Sequence, residues 1–252
     1  METTFDHSLK CFRASILDPE ALNGRPALSL AELDALCAPS RENVDEVILL
    51  CLLAARQYPA GSAALAHVPW ILSSMAINFP DRLAAYIQAV AGLLEAPSDQ
   101  IREHATHLLG DWWQRGNREL FSCLLKALHD PCPEVVGAAL LRLRHCNATQ
   151  AIEVLEHSRR VLEEADLPEE PEALPPDDPA RKLCAYFSQM ALLLAKQGLI
   201  NEVALRQYFG QTKCSLAKAS LPTAVREWLT KPTGAMDELL AKYTQQELGD
   251  FQ

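Results

Sequence analysis

The chain has 252 residues, 49% of them hydrophobic and 22% charged, enough apolar length to bury a core as one extended domain or two small ones. Its 33 acidic against 23 basic side chains give a formal charge of -10, which argues against a surface built to neutralise nucleic acid or an anionic membrane. Only 10 glycines and 6% aromatics, among many Leu and Ala, exclude hairpin-rich and phosphate-loop architectures and favour helices packed on helices.

In chain order, residues 1 to about 30 hold Pro19 and Pro26 and read as an irregular lead-in with at most a short helix. Ser29 and Glu32 have capping-box spacing, which predicts a helix to about Cys37. Asn43 starts a second helix through Val44, Val47, Ile48, Cys51 and Ala55, nearly apolar all round and therefore central, closed by Pro59 and Gly61. Pro69 fits the first turn of a helix from Ile71 to Phe79, ended by Pro80. A further helix runs through Leu83, Ile87, Val90 and Leu94 until Pro97 breaks it.

Ser98 then caps a helix with Ile101, Ala105, Leu108, Leu109 and Trp112 on one stripe, stopped by Gly116. Helices from Leu120 to Leu128 and from Val135 to Leu143 follow, joined by the turn His129 to Pro133, and the next carries Ile152, Leu155 and Leu162. Glu163 to Pro179 holds five prolines and eight acidic residues without a base, a composition that predicts an extended acidic loop. Asp178 as N-cap and Pro179 at the first helical position restart the pattern, which runs through Phe187, Met190 and Leu194 to Gly198. Shorter helices are expected near Asn201 to Phe209 and Leu221 to Leu229, with a last one carrying Met236, Leu239, Leu240 and Tyr243.

The helix pairs repeat in register. A constant shift of 34 residues places Leu94 on Leu128, Pro97 on Pro131, Ile101 on Val135, Ala105 on Ala139 and Leu109 on Leu143. The segments from Ser98 to Ala105 and from Asp130 to Ala139 resemble the Asp-x-x-x-x-Val-Arg-x-x-Ala pattern that opens the second helix of HEAT-like repeats. They depart from it at Ala96, where the pattern has Asp, and at Val136, where it has Arg. The resemblance implies an all-α, right-handed superhelical solenoid of antiparallel helix pairs. It would span residues 1–252 as one domain, with the best repeats over 44–162, the acidic loop over 163–179 and a helical cap over 180–252. It also implies a ladder between Arg102 and Asp130 of adjacent repeats, against the plainer reading of two unrelated solvated charges.

Sites of chemistry are sparse. The eight cysteines are scattered without CxxC pairs and, with no secretory leader or 20-residue apolar run in view, predict reduced thiols in the cytoplasm. The metal-ligand candidates are His104, His107 and Asp111, on one flank of a helix but lacking a fourth ligand. No P-loop, GxSxG or HExxH pattern occurs, and no His-Glu dipeptide of the HEAT-like hydroxylases, so no cofactor is expected. Trp113 lies about 100° from Trp112 on a helix, off the core stripe; beside Arg115 it has the composition of an interface hot spot, weighed against packing on the following helix. With Arg142 and Arg144 these residues form the expected partner-binding set.

The expected function is a non-enzymatic scaffold or adaptor that binds another protein along its repeat surface. A basic partner, such as a toxin or regulator, is the more pointed form of that expectation, because outside Glu163 to Asp178 the chain holds only 25 acids against 23 bases. The alternatives are a metal- or cofactor-handling enzyme or lyase on the same scaffold, and a nucleic-acid-binding HEAT-like protein using Arg115, Arg118, Arg142 and Arg144.

Overall fold

Proline, glycine and short polar caps divide the apolar stripes into helices, and among the described residues there is no strand. Our computed structural model describes residues 4–17, 28–58, 60–62, 65–165, 175, 178–212, 215–230 and 235–243. The described chain separates into two compact units, residues 1–112 and 113–252.

In the first unit, α1 (Thr4–Leu17) corrects the expected irregular lead-in. Its Leu9, Phe12 and Ile16 lie on one face and are buried. Ser8 and Ser15 sit beside them in full burial, their hydroxyls donating to the carbonyls of Thr4 and Phe12. These serines disguise the stripe in the sequence, because a hydroxyl satisfied within its own turn can occupy a core position. Helix α1 packs on α2 (Leu30–Cys37) and α3 (Val44–Gln57). Arg13 pairs with Glu46, and the Tyr58 hydroxyl donates to the Ile16 carbonyl.

The capping box of α2 forms as expected: the Ser29 amide donates to Glu32 Oε2 at 2.7 Å, and the Glu32 amide to Ser29 Oγ at 3.4 Å. Asn43 precedes α3 as expected but does not cap it; its side-chain amide donates to Ser40 Oγ. Helix α4 (Val68–Asn78) carries Pro69 in its first turn and packs on α2 and α3. Pro80, expected only to stop α4, also opens α5 (Pro80–Ala84). The single helix expected through Leu83 and Leu94 is instead α5, α6 (Ile87–Ala91) and a 3-10 turn, Gly92–Glu95. Arg56 of α3 reaches the Ala89 carbonyl at 3.4 Å, and its guanidinium lies where a Cβ on residue 92 would stand, a close approach that Gly92 permits.

Helix α7 (Asp99–Gln114) buries Ile101, Ala105, Leu109 and Trp112, as its stripe predicts. In the second unit, a 3-10 turn at Arg118–Leu120 leads into α8 (Phe121–Ala127), which packs on α9 (Pro133–Leu143). The positions related by 34 residues, Val135, Ala139 and Leu143, are fully buried like their counterparts on α7. Helix α10 (Ala148–Glu164) opens on a capping box of Asn147 and Gln150 and reaches two residues into the expected acidic loop. It buries Val154, Leu155 and Leu162, whereas Ile152, expected on that face, is 53% exposed. The rest of the acidic loop, apart from residues 165, 175, 178 and 179, lies outside the described residues.

Helix α11 (Pro179–Lys196) begins as expected, with Asp178 accepting from the Ala180 amide at 2.8 Å. It packs on α9, α10, α12 (Glu202–Gln211), α13 (Ser215–Ala219) and α15 (Met236–Leu240). The Ser188 hydroxyl donates to the Ala217 carbonyl at 2.8 Å, and Lys196 Nζ to the Leu240 carbonyl at 3.0 Å. Helix α14 (Thr223–Thr230) buries Trp228, over which Arg206 stacks at 4.3 Å from the ring centroid.

The end of α11 is a Schellman turn. Gly198, at φ +71°, donates to the Ala195 carbonyl, and Leu199 donates to the Leu194 carbonyl. Gly198→Ala would place a Cβ in the left-handed region, and we expect it to lower the unfolding free energy by about 1–2 kcal/mol in urea titration. No change would mean that the turn rearranges freely.

Candidate functional site

Where α7 ends, Gly116 at φ +107° turns the chain, its amide donating to the Trp113 carbonyl at 3.0 Å. That turn, and the one between α9 and α10, border a cleft of about 580 Å³ within the second unit. It is lined by Trp113, Gln114, Gly116, Arg118, His145, Asn147 and Gln150. No carboxylate is among them, Arg118 is exposed, and Asn147 and Gln150 stand at the N-terminus of α10, the positive end of its dipole.

His145 adds a titratable group to this wall. Burial first, then the positive charges of Arg144 and Arg142, hold its pKa below the ordinary imidazole value. Arg144 Nε lies 3.1 Å from His145 Nε2, a contact in which the guanidinium donates and the ring nitrogen accepts. The imidazole is therefore neutral at neutral pH and gains a proton only on acidification.

Of the expected partner-binding residues, Trp113 lines the cleft, Arg142 and Arg144 act on His145, and Arg115 is exposed on the turn after α7. Of the two readings of Trp113, packing on the following helix describes it: the side chain is 8% exposed, with its ring 5.9 Å from that of Phe121 at the start of α8. A second apolar surface covers the flank that a single helical stripe leaves open. The exposed tryptophan is Trp70, at 63%, with Ile77 at 79% two turns along the same face of α4. Both lie off the stripe of Val68, Ile71, Leu72 and Met75, a signal already present in the sequence.

The metal candidates on α7 do not converge. Among the described residues, the one group of three ligand-bearing side chains with atoms within 4.8 Å of one another lies elsewhere, so His104, His107 and Asp111 do not form a site. Seven residues of helix rise about 10 Å, too far for the end members to share an ion. His104 is partly buried, which lowers its pKa, and His107 lies 3.9 Å from Glu103. The residues of the expected ladder have local partners: Arg102 Nη1 donates to the Ala96 carbonyl at 3.0 Å, and Asp130 Oδ1 accepts from the Cys132 amide at 2.9 Å.

Because Trp113 is a packing residue as well as a wall of the cleft, Trp113→Ala should cost about 3–5 kcal/mol of stability, measured by urea unfolding. Trp113→Phe should retain most of it. A cost near zero for the alanine change would contradict the burial.

Comparison with known proteins places this region. The family model for HEAT repeats matches residues 88–166, a stretch that includes every residue lining the cleft. No curated protein and no solved structure matches the chain. No helix among the described residues is long and apolar enough to cross a membrane. With the 34-residue register, the match identifies residues 88–166 as HEAT repeats.

Proposed function

We propose that the protein is a non-enzymatic interaction scaffold that holds an acidic segment of a partner protein in the cleft of Arg118 and His145. HEAT repeats commonly serve as protein-interaction scaffolds, which supports the general reading. The observation that carries the specific one is the lining: an exposed arginine, a tryptophan, three amide side chains and a histidine bracketed by two arginines, with no carboxylate. A carboxylate entering there meets donors on several sides. The exposed Trp70 and Ile77 on α4 support protein contact on the first unit as well.

A basic partner is the competing reading, favoured by the eight acids of residues 163–178. In either case we place the protein in the cytoplasm, where the buried free thiols of Cys51, Cys146 and Cys184 would stay reduced.

Fluorescence anisotropy with labelled oligoglutamate and oligolysine separates the two readings. Oligoglutamate should bind at low salt, and Arg118→Glu with Arg144→Glu should weaken it at least tenfold. Its affinity should rise as the pH falls through the lowered His145 value, since the protonated ring adds a positive charge, and His145→Asn should flatten that dependence. Oligolysine binding that disappears when residues 166–177 are made neutral would favour the basic partner. Oligoglutamate binding unchanged in the double arginine variant would remove the cleft from the function.

A further inference from the structure

The packing of α1 on α2 brings a pair of side chains on α1 together with one that is distant in sequence. His7 and Cys11 stand one turn apart on α1, and Glu32 is the third residue of α2. His7 Nε2 lies 3.6 Å from Cys11 Sγ and 3.4 Å from Glu32 Oε1. One ligand atom from each residue lies within 4.8 Å of the other two.

We propose that His7, Cys11 and Glu32 bind a zinc ion through imidazole nitrogen, thiolate and carboxylate oxygen, with water as the fourth ligand. The spacing carries the assignment. For a tetrahedral zinc with ordinary bond lengths, the separation between neighbouring ligand atoms is about 3.3 Å for nitrogen to oxygen and about 3.6 Å for nitrogen to sulfur. The distances at His7 match both edges, and the third pair of ligand atoms lies within 4.8 Å. A mixed nitrogen, sulfur and oxygen set suits zinc better than magnesium or calcium, which prefer oxygen alone.

The capping box supplies the outer support. Glu32 Oε2 accepts from the Ser29 amide at 2.7 Å and the Ser29 hydroxyl at 2.6 Å, which orients Oε1 toward His7. Outer hydrogen bonds of this kind fix a ligating carboxylate before the metal arrives. The same bonds from Ser29 hold Glu32 below the usual carboxylate pKa, so it is anionic at neutral pH. His7 is exposed, and Cys11 and Glu32 are partly so, which leaves a path for the ion. Binding deprotonates the Cys11 thiol and releases that proton to solvent; no oxidation or reduction is involved. The bound ion would tie α1 to α2.

The test uses the untagged full chain, stripped with a chelator and titrated near pH 7.5 with zinc in competition with a chromophoric chelator, and separately with cobalt. One equivalent of zinc should bind, and cobalt should give the intense visible bands of a tetrahedral ion with a near-ultraviolet thiolate band. Cys11→Ser should abolish the thiolate band, and His7→Gln and Glu32→Gln should each weaken zinc roughly tenfold or more. Glutamine at residue 32 retains the capping box, so that variant separates ligation from helix capping. Zinc should raise the melting temperature of the native chain and not that of Cys11→Ser. The proposal is overturned if the three variants bind zinc as the native chain does, if cobalt gives weak octahedral bands without the thiolate band, or if no zinc binds at micromolar concentration. Any of these results would leave the cluster a polar contact between two helices with no metal role.

Discussion

The second unit depends on the burial of one helix on all sides. Helix α11 buries Cys184, Tyr186, Phe187, Met190, Ala191 and the run from Leu192 to Ala195, residues that no single face can accommodate. Each large side chain taken from water contributes about 1.5–3 kcal/mol, a gain available only when neighbours surround the helix. Helices α9, α10, α12, α13 and α15 meet that demand. On that buried surface the Ser188 hydroxyl is satisfied by the Ala217 carbonyl. In the first unit, α3 has a similar role, with Val44, Val47, Ile48, Cys51, Ala54 and Ala55 fully buried among α1, α4 and α5.

The turns between helices are held by local bonds, and here the incomplete family pattern acquires a physical reading. The pattern supplies an acid and an arginine to each repeat, but each repeat in this chain retains one of them. Before α9, Asp130 satisfies a turn amide, at Cys132. Before α7, where Ala96 replaces the acid, Arg102 instead satisfies turn carbonyls, at Ala96 and Pro97. One repeat closes its turn by accepting and the other by donating, and either closure lets the following helix start in the same register.

Charge is distributed by region. Most of the net negative charge comes from one segment, residues 163–178, while the cleft at the ends of α7 and α9 gathers donors and cations without a carboxylate. The composition therefore predicts a different partner from the one the cleft suits. A whole-chain charge describes long-range steering, whereas a docked segment responds to the few groups within a Debye length of it.

The sequence by itself determined most of the helices, several of their caps and the 34-residue register, because propensity, capping and apolar period act within a few turns of chain. The capping box at Ser29, the start of α11 at Asp178 and the stop at Gly198 were all legible in this way. What lay beyond it was the partner of each face. Helical period separates Trp113 from Trp112 by an angle, but the neighbouring Phe121 is what covers Trp113, while Trp70 remains open. Three ligand types on one helix, His104, His107 and Asp111, were conspicuous in the sequence and do not converge. His7, Cys11 and Glu32 converge only because α1 lies against α2, and the stripe that seats α1 is interrupted by two buried serines. Local sequence sets which way a side chain points from its own helix; the packing of a second helix decides what it meets.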